Sequence, residues 1–382
     1  MPLDDFSPAA VLLIEGGRRS LDAPASAPVS VSADAWAALP DAAERHGMTA
    51  WVYLAVRSRS DAPADVRAAI EARARAHRIR ALHAVSQLRT LVDALRTAGI
   101  EPVAIKGPLL SAWLYGDLGM RRFADLDLLI ARGDRERALK ALTAAGYGLR
   151  DGMSVATAGV VYAGTGAWPL SHAAGLSVDL HWRTQAAGFP SPLTPAQVLH
   201  ESLSAAGAGG GIRIPGATHA AVLTLLHAAK HVWTSLELIL SIAHLMRRTD
   251  IDWTRVHHLA AGAGAWNACA AGMALARELF DVRIPAPVQS RLHERAVEPL
   301  VATAGSFLRM ADVSDAPLRQ EFHAHCASFD TLPRRARYAA WRLFAPTPLE
   351  AAWWPLPDRL APLYAPVRLL RLVMRRHDRM PQ

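Results

Sequence analysis

Glu101–Ile130 reads EPVAIKGPLLSAWLYGDLGMRRFADLDLLI, and the fold is decided here. Val103, Ala104 and Ile105 are a short apolar run that stops at Lys106-Gly107, the pattern of a buried strand breaking into a turn. Pro108 suits the first position of a helix, and Leu109, Leu110, Trp113 and Leu114 continue at helical spacing. After Gly116 to Arg122 the chain becomes Asp125-Leu126-Asp127-Leu128-Leu129-Ile130, a second strand. Side chains alternate along a strand, so Asp125 and Asp127 leave one face and Leu126 and Leu128 the other. Two carboxylates about 7 Å apart on one strand face can hold divalent cations between them, and would repel each other without one.

Outward from this stretch, a long charged helix is expected over Pro63 to Ala98, ended by Ala98-Gly99 and delivering the chain into the first strand. Its apolar stripe is Ala81, Leu82, Val85, Leu88, Leu91 and Leu95, read as core packing. Upstream, Leu21 to Val31 reads as a Pro/Ser/Ala loop, Ala33 to Gly47 as a helix and Trp51 to Arg57 as more helix. Downstream, Asp134 is placed to cap a helix ending at Ala145-Gly146. Tyr147 to Arg150 and Val160 to Ala163 are candidate strands. Leu170 to His172 and Leu176 to Trp182 form a hairpin turning at Ala173 to Gly175, and its second arm puts Asp179 and His181 on one face. The Gly/Ala run Ala205 to Gly211 lacks the Gly-Lys-Ser/Thr of a phosphate loop and reads as a flexible connection. Helices follow at about 217–232, 234–248, 252–264, 266–280 and 285–311. Beyond a Pro- and Trp-rich stretch, Val367 to Arg379 reads as a short basic amphipathic helix.

Lys106-Gly107, Tyr115-Gly116, Arg121, Asp125-Leu126-Asp127 and Val178-Asp179-Leu180-His181-Trp182 together resemble a family of bacterial nucleotidyltransferases within the DNA polymerase beta-like superfamily. The ordered set spans about eighty residues. The resemblance implies an α+β fold: a small mixed-sheet core over 99–185, an N-terminal helical segment over 1–98 and a mostly helical region over 186–382. It implies an enzyme moving a nucleoside monophosphate from a triphosphate, ATP foremost, to an acceptor hydroxyl, with Mg²⁺ or Mn²⁺. Asp125, Asp127 and Asp179 become the metal-binding and catalytic acids, and Lys106, Gly107 and Arg121 the nucleotide-binding residues. Lys-Gly-Pro stands where Gly-Ser or Gly-Gly is usual in the superfamily, a departure that bears on phosphate geometry. Leu226 to Trp233 also resembles the family, which makes His227, Lys230 and His231, with His181, candidate contacts to acceptor or nucleotide. A zinc reading of His227 and His231 wants a neighbouring Glu, and Ala228 stands there. Ser241 stands where family members often carry Asp. His323-Ala324-His325-Cys326 reads as a coincidence of metal-ligand types.

Composition bounds the rest. The chain has 382 residues, 51% of them hydrophobic, and a net charge of +8, which permits an anionic partner without naming one. Cys269 and Cys326 offer no disulfide framework and fit a reducing cytoplasm. The apolar run Ala9 to Ile14 is short for a signal peptide, and the uncharged stretch 152–178 is broken by glycines and Pro169. A soluble cytoplasmic enzyme is expected. Its acceptor stays open among small molecule, sugar, peptide and protein. Alternatives are an RNA-directed nucleotidyltransferase and an inactive nucleotide-binding or regulatory module.

Overall fold

The computed structural model describes residues 3–21, 31–310 and 318–374. A seven-stranded mixed sheet forms around the quoted stretch: β1 (Val103–Ala104), β2 (Asp125–Leu129), β3 (Gly148–Leu149), β4 (Ala167–Ser171), β5 (Ser177–His181), β6 (Leu203–Ser204) and β7 (Arg213–Ile214). Their spatial order is β3-β4-β5-β2-β1-β7-β6. β2 is central, antiparallel to β1 and parallel to β5. Its apolar face, Leu126 and Leu128, is buried with Leu170, Val178 and Leu180, so the alternation visible in the sequence is realised in the sheet.

Helices cover this sheet and build a second, larger core. Helix Ala64–Thr97 joins the two over 34 residues, a length of about 50 Å. Its first turns bury Val66 and Ile70 in the larger core, and its second half buries Ala84, Val85, Leu88, Leu91 and Leu95 against the sheet. Leu82 departs from the expected stripe, being 55% exposed. It sits one position from Ala81, and a helix turns about 100° per residue, so the two cannot share a narrow face. The N-terminal helices Pro8–Ser20, Ala33–Arg45 and Thr49–Val56 pack with Ala217–Lys230, Leu236–Met246 and Trp266–Phe280 in the larger core. Arg18 donates to the Leu279 carbonyl at 2.8 Å, tying the chain's beginning to its second half.

Several local expectations are corrected. Val160 lies in a helix, Val155–Val161, whose N-cap Ser154 accepts from Thr157 N–H. The cap outweighs the β-branched residues that suggested a strand. Residues 205–211 are no free connection but the turn of the β6–β7 hairpin. β7 pairs in parallel with β1, at Val103 and Arg213, and thereby extends the sheet beyond 185. Strands of two residues carry no periodic signal. Asp134 directs its carboxylate to Arg137 at 2.6 Å and makes no capping bond. The C-terminal helix is described as Tyr364–Met374. The rest of its expected span, and residues 22–30 of the expected N-terminal loop, lie outside the described residues.

Candidate functional site

The site grows from three backbone facts. Gly107 ends the first strand at φ 76°, ψ −151°, a conformation open in practice to glycine alone, and its carbonyl begins helix Pro108–Tyr115. Nothing lies within 4 Å of where a Cβ would stand, so the backbone here borders open space. Second, Ile105 N–H bonds the Asp127 carbonyl at 3.1 Å, which brings Lys106 beside β2. Third, the parallel register sets Asp127 directly opposite Asp179. Side chains at paired positions leave the same face, so the two carboxylates meet.

Asp127 is buried, 5% exposed, and its Oδ1 accepts from Lys106 Nζ at 2.8 Å and from His181 Nε2 at 2.9 Å. Burial pushes its carboxyl up, but Lys106 and His181 outweigh that and hold it well below the usual carboxylate range. Asp125 is raised instead, by burial and then by the charges of Asp127 and Asp179. Burial disfavours the Lys106 ammonium, yet the surrounding acids keep its pKa above the ordinary value. One donor atom each from Asp127, Asp179 and His181 lies within 4.8 Å of the others. Asp179 Oδ1 is buried without a hydrogen-bond partner; Arg150 Nη2 stands 3.8 Å from it. A buried carboxylate oxygen without a hydrogen-bond donor, beside two further acids, fits a divalent cation, because hard cations take oxygen donors and satisfy lone pairs that the protein leaves open. His181 joins Asp127 rather than standing apart as an acceptor contact.

Arg121 is placed differently from the expectation of a phosphate grip. Its guanidinium is 7% exposed and bonds Glu237, Nε to Oε1 at 2.5 Å and Nη2 to Oε2 at 3.4 Å. Ser241 Oγ donates to Glu237 Oε1 at 2.7 Å and meets Tyr115 Oη at 2.7 Å. Ser241 thus closes a buried network. Glu237, an acid inside the apolar run Leu236 to Leu240, was the signal in the sequence that this network exists.

His227 and His231 meet edge to face, 4.6 Å between ring centroids, and line a recess of about 370 Å³ with Arg45, Arg122 and the Arg121–Glu237 pair. Burial and then Lys106 lower the His227 pKa well below its ordinary value, and burial and then Lys230 push His231 down to about 4. Lys230 keeps surface open to solvent at the end of its helix, yet its pKa is lowered, first by the protein packed around its ammonium and then by Lys106. Beyond it Val232 and Trp233 both hold φ of 50°, an unusual backbone for non-glycine residues. Trp233 N–H closes the turn on the Ala228 carbonyl at 2.9 Å, and its fully buried ring anchors it. His325 Nε2 donates to the Lys230 carbonyl at 2.8 Å, while Nδ1 meets Tyr338 Oη at 2.7 Å. The His-Ala-His-Cys run therefore supplies a support for the Lys230 end of its helix. Among the described residues the metal-competent group is Asp127, Asp179 and His181.

The glycine turn between buried strand and helix, and the facing acids on neighbouring strands, stand in a chain whose family comparison shows it to be a nucleotidyltransferase. The chain belongs to the family of uncharacterised nucleotidyltransferases, whose model matches residues 32–281. No curated protein and no solved structure matches it.

Proposed function

We propose that this nucleotidyltransferase is a metal-dependent member of the DNA polymerase beta-like superfamily that transfers a nucleoside monophosphate, from ATP foremost, to an acceptor hydroxyl. The observation that carries the reading is the Asp127–Asp179 pair, in which Asp179 Oδ1 is buried without a hydrogen bond. Asp125, Asp127 and Asp179, with His181 beside them, would hold Mg²⁺ or Mn²⁺, which neutralises triphosphate charge and polarises the reacting phosphoryl group when bound.

The chain's own residues do the rest. Gly107 lets backbone N–H groups approach a phosphate at the start of its helix. Lys106 holds Asp127 ionised and adds positive charge beside the phosphate turn. Asp179 accepts the proton of the acceptor hydroxyl as that oxygen bonds the α-phosphorus; the bond to the bridging oxygen breaks and pyrophosphate leaves. Arg121 acts by holding the floor of the recess, since its fork is committed to Glu237. Lys230, His227 and His231 are positioned to contact the nucleotide or the acceptor. A cytoplasmic site of action fits the cysteine usage, and no helix among the described residues is long and apolar enough to cross a membrane.

The test is calorimetry of ATP, GTP, CTP and UTP with Mg²⁺ or with EDTA, coupled to a pyrophosphate-release screen over candidate acceptors. The reading expects metal-dependent binding and pyrophosphate release with an acceptor present. Equal binding in EDTA would overturn the metal assignment. Metal-dependent binding without turnover on any acceptor class would return the chain to a binding module.

A further inference from the structure

We propose that the C-terminal segment 343–374 is a docking face for the surface of a lipid bilayer carrying anionic head groups. The segment comprises helix Pro348–Trp353, a 3-10 turn Asp358–Leu363 and helix Tyr364–Met374, with the end of helix Leu332–Phe344. Eleven of the seventeen exposed large apolar side chains among the described residues lie in these 32 positions. Scattered singly, such residues need no explanation, but gathered in one short segment they mark a surface that meets something apolar.

The last helix makes the case sharply, because its polarity is inverted. Tyr364, Val367, Arg368 and Arg371 recur at i, i+3, i+4 and i+7 and are buried, while the apolar Leu370, Leu372, Val373 and Met374 around the rest of the helix are exposed. A helix packed for water does the reverse. The arginines are drawn inward by Glu350, which is fully buried and accepts from Arg371 Nε at 2.5 Å and Arg368 Nη1 at 3.4 Å. Arg368 also donates to the carbonyls of Arg342 at 2.6 Å and Leu343 at 3.2 Å. The interior thus takes the charges, and these apolar side chains are left facing out. The expected basic amphipathic helix is amphipathic in the opposite sense to that expected of its charged face.

Two features select a lipid surface as the occupant. Trp353 and Trp354 stand next to each other, 41% and 50% exposed, and indole rings favour the boundary between head groups and acyl chains. In the sequence, Met374 is followed by Arg375-Arg376-His377-Asp378-Arg379, three arginines against one acid, a charge complementary to anionic head groups. A helix of 11 residues with exposed apolar side chains is too short to span a bilayer and suited to lying in its surface.

Co-sedimentation of the full chain with vesicles tests this, comparing phosphatidylcholine alone with mixtures containing phosphatidylglycerol. Strong partitioning to the anionic vesicles is expected, weakened by salt. Trp354→Ala combined with Val373→Asp should lower the partition coefficient at least about tenfold while leaving the melting temperature unchanged, since both side chains are exposed. Arg375→Gln, Arg376→Gln and Arg379→Gln should each lower it about fivefold on anionic vesicles. Failure to sediment with either vesicle overturns the proposal, as does binding indifferent to these substitutions. A dimer in light scattering that Val373→Asp splits into monomers would give the face to a second copy and also overturn it.

Discussion

Two charge clusters stand side by side in this protein and are built to opposite ends. Arg121, Glu237, Ser241 and Tyr115 form a closed set: both Arg–Glu bonds are made, Ser241 completes the acid, and Ser241 and Tyr115 meet through their hydroxyls. Lys106, Asp127 and His181 are also bonded, but Asp125 and Asp179 add negative charge that they do not balance, and Asp179 Oδ1 is buried without a donor. A satisfied buried network holds a structure together and has no need of a ligand. A buried carboxylate oxygen left without a donor beside two further acids costs stability that a bound cation would return.

The comparison can be broken by substitution. Asp179→Asn should lower turnover on the order of a thousandfold, about 4 kcal/mol of barrier, with triphosphate affinity held within a few-fold and stability unchanged or slightly raised. Pyrophosphate release and thermal melts read both, and full activity in this variant would remove Asp179 from the mechanism. Glu237→Gln should act in the other direction. It leaves the Arg121 charge buried without its partner and should cost about 3–5 kcal/mol of stability in denaturant unfolding. A loss below about 1 kcal/mol would mean that the network is less desolvated than its geometry implies.

The closed cluster also has a pH signature. Glu237 N–H bonds the His46 carbonyl at 3.1 Å, and the His46 ring is buried with Nδ1 unpartnered. Burial, and secondarily Arg45, push its pKa from 6.5 down to about 4. The unfolded chain therefore binds the extra proton first as pH falls. Stability from this group is complete above about pH 6.5 and declines as pH drops toward 4, by about 3 kcal/mol in all. His46→Gln should flatten that slope in melts across the window. An unchanged slope would assign it to other groups.

The smallest expected effect sharpens the contrast. Mg²⁺ at a hundred times its dissociation constant should stabilise the native chain by about 2.7 kcal/mol. That gain should shrink in Asp179→Asn and survive in full in Glu237→Gln. If Mg²⁺ stabilised Asp179→Asn as well as the parent, the cation would be held without the open oxygen.

Much of the site was legible before any coordinates, because strand and helix periodicities are local properties. Asp125 and Asp127 on one face, Pro108 opening a helix after Gly107, and Asp179 with His181 on the hairpin's second arm all follow from spacing within a few residues. The family resemblance named the chemistry in the same way, through short ordered motifs. What periodicity does not carry is the pairing between distant segments. Asp127 opposite Asp179 is a matter of strand register, 52 residues apart in the chain. The capture of Arg121 by Glu237 spans 116 residues and redirects a residue that looked free to grip phosphate. Likewise the two-residue strands β6 and β7 have no pattern of their own and exist because β1 offers them an edge. The inverted helix at the C-terminus shows the same limit: its arginines look like a solvent face in sequence, and only a buried Glu350 turns them inward. By itself the sequence determined which faces the acids share, since side-chain direction alternates with the backbone. Tertiary structure alone decided which charges are neutralised and which are left open, because that depends on partners brought together only by packing.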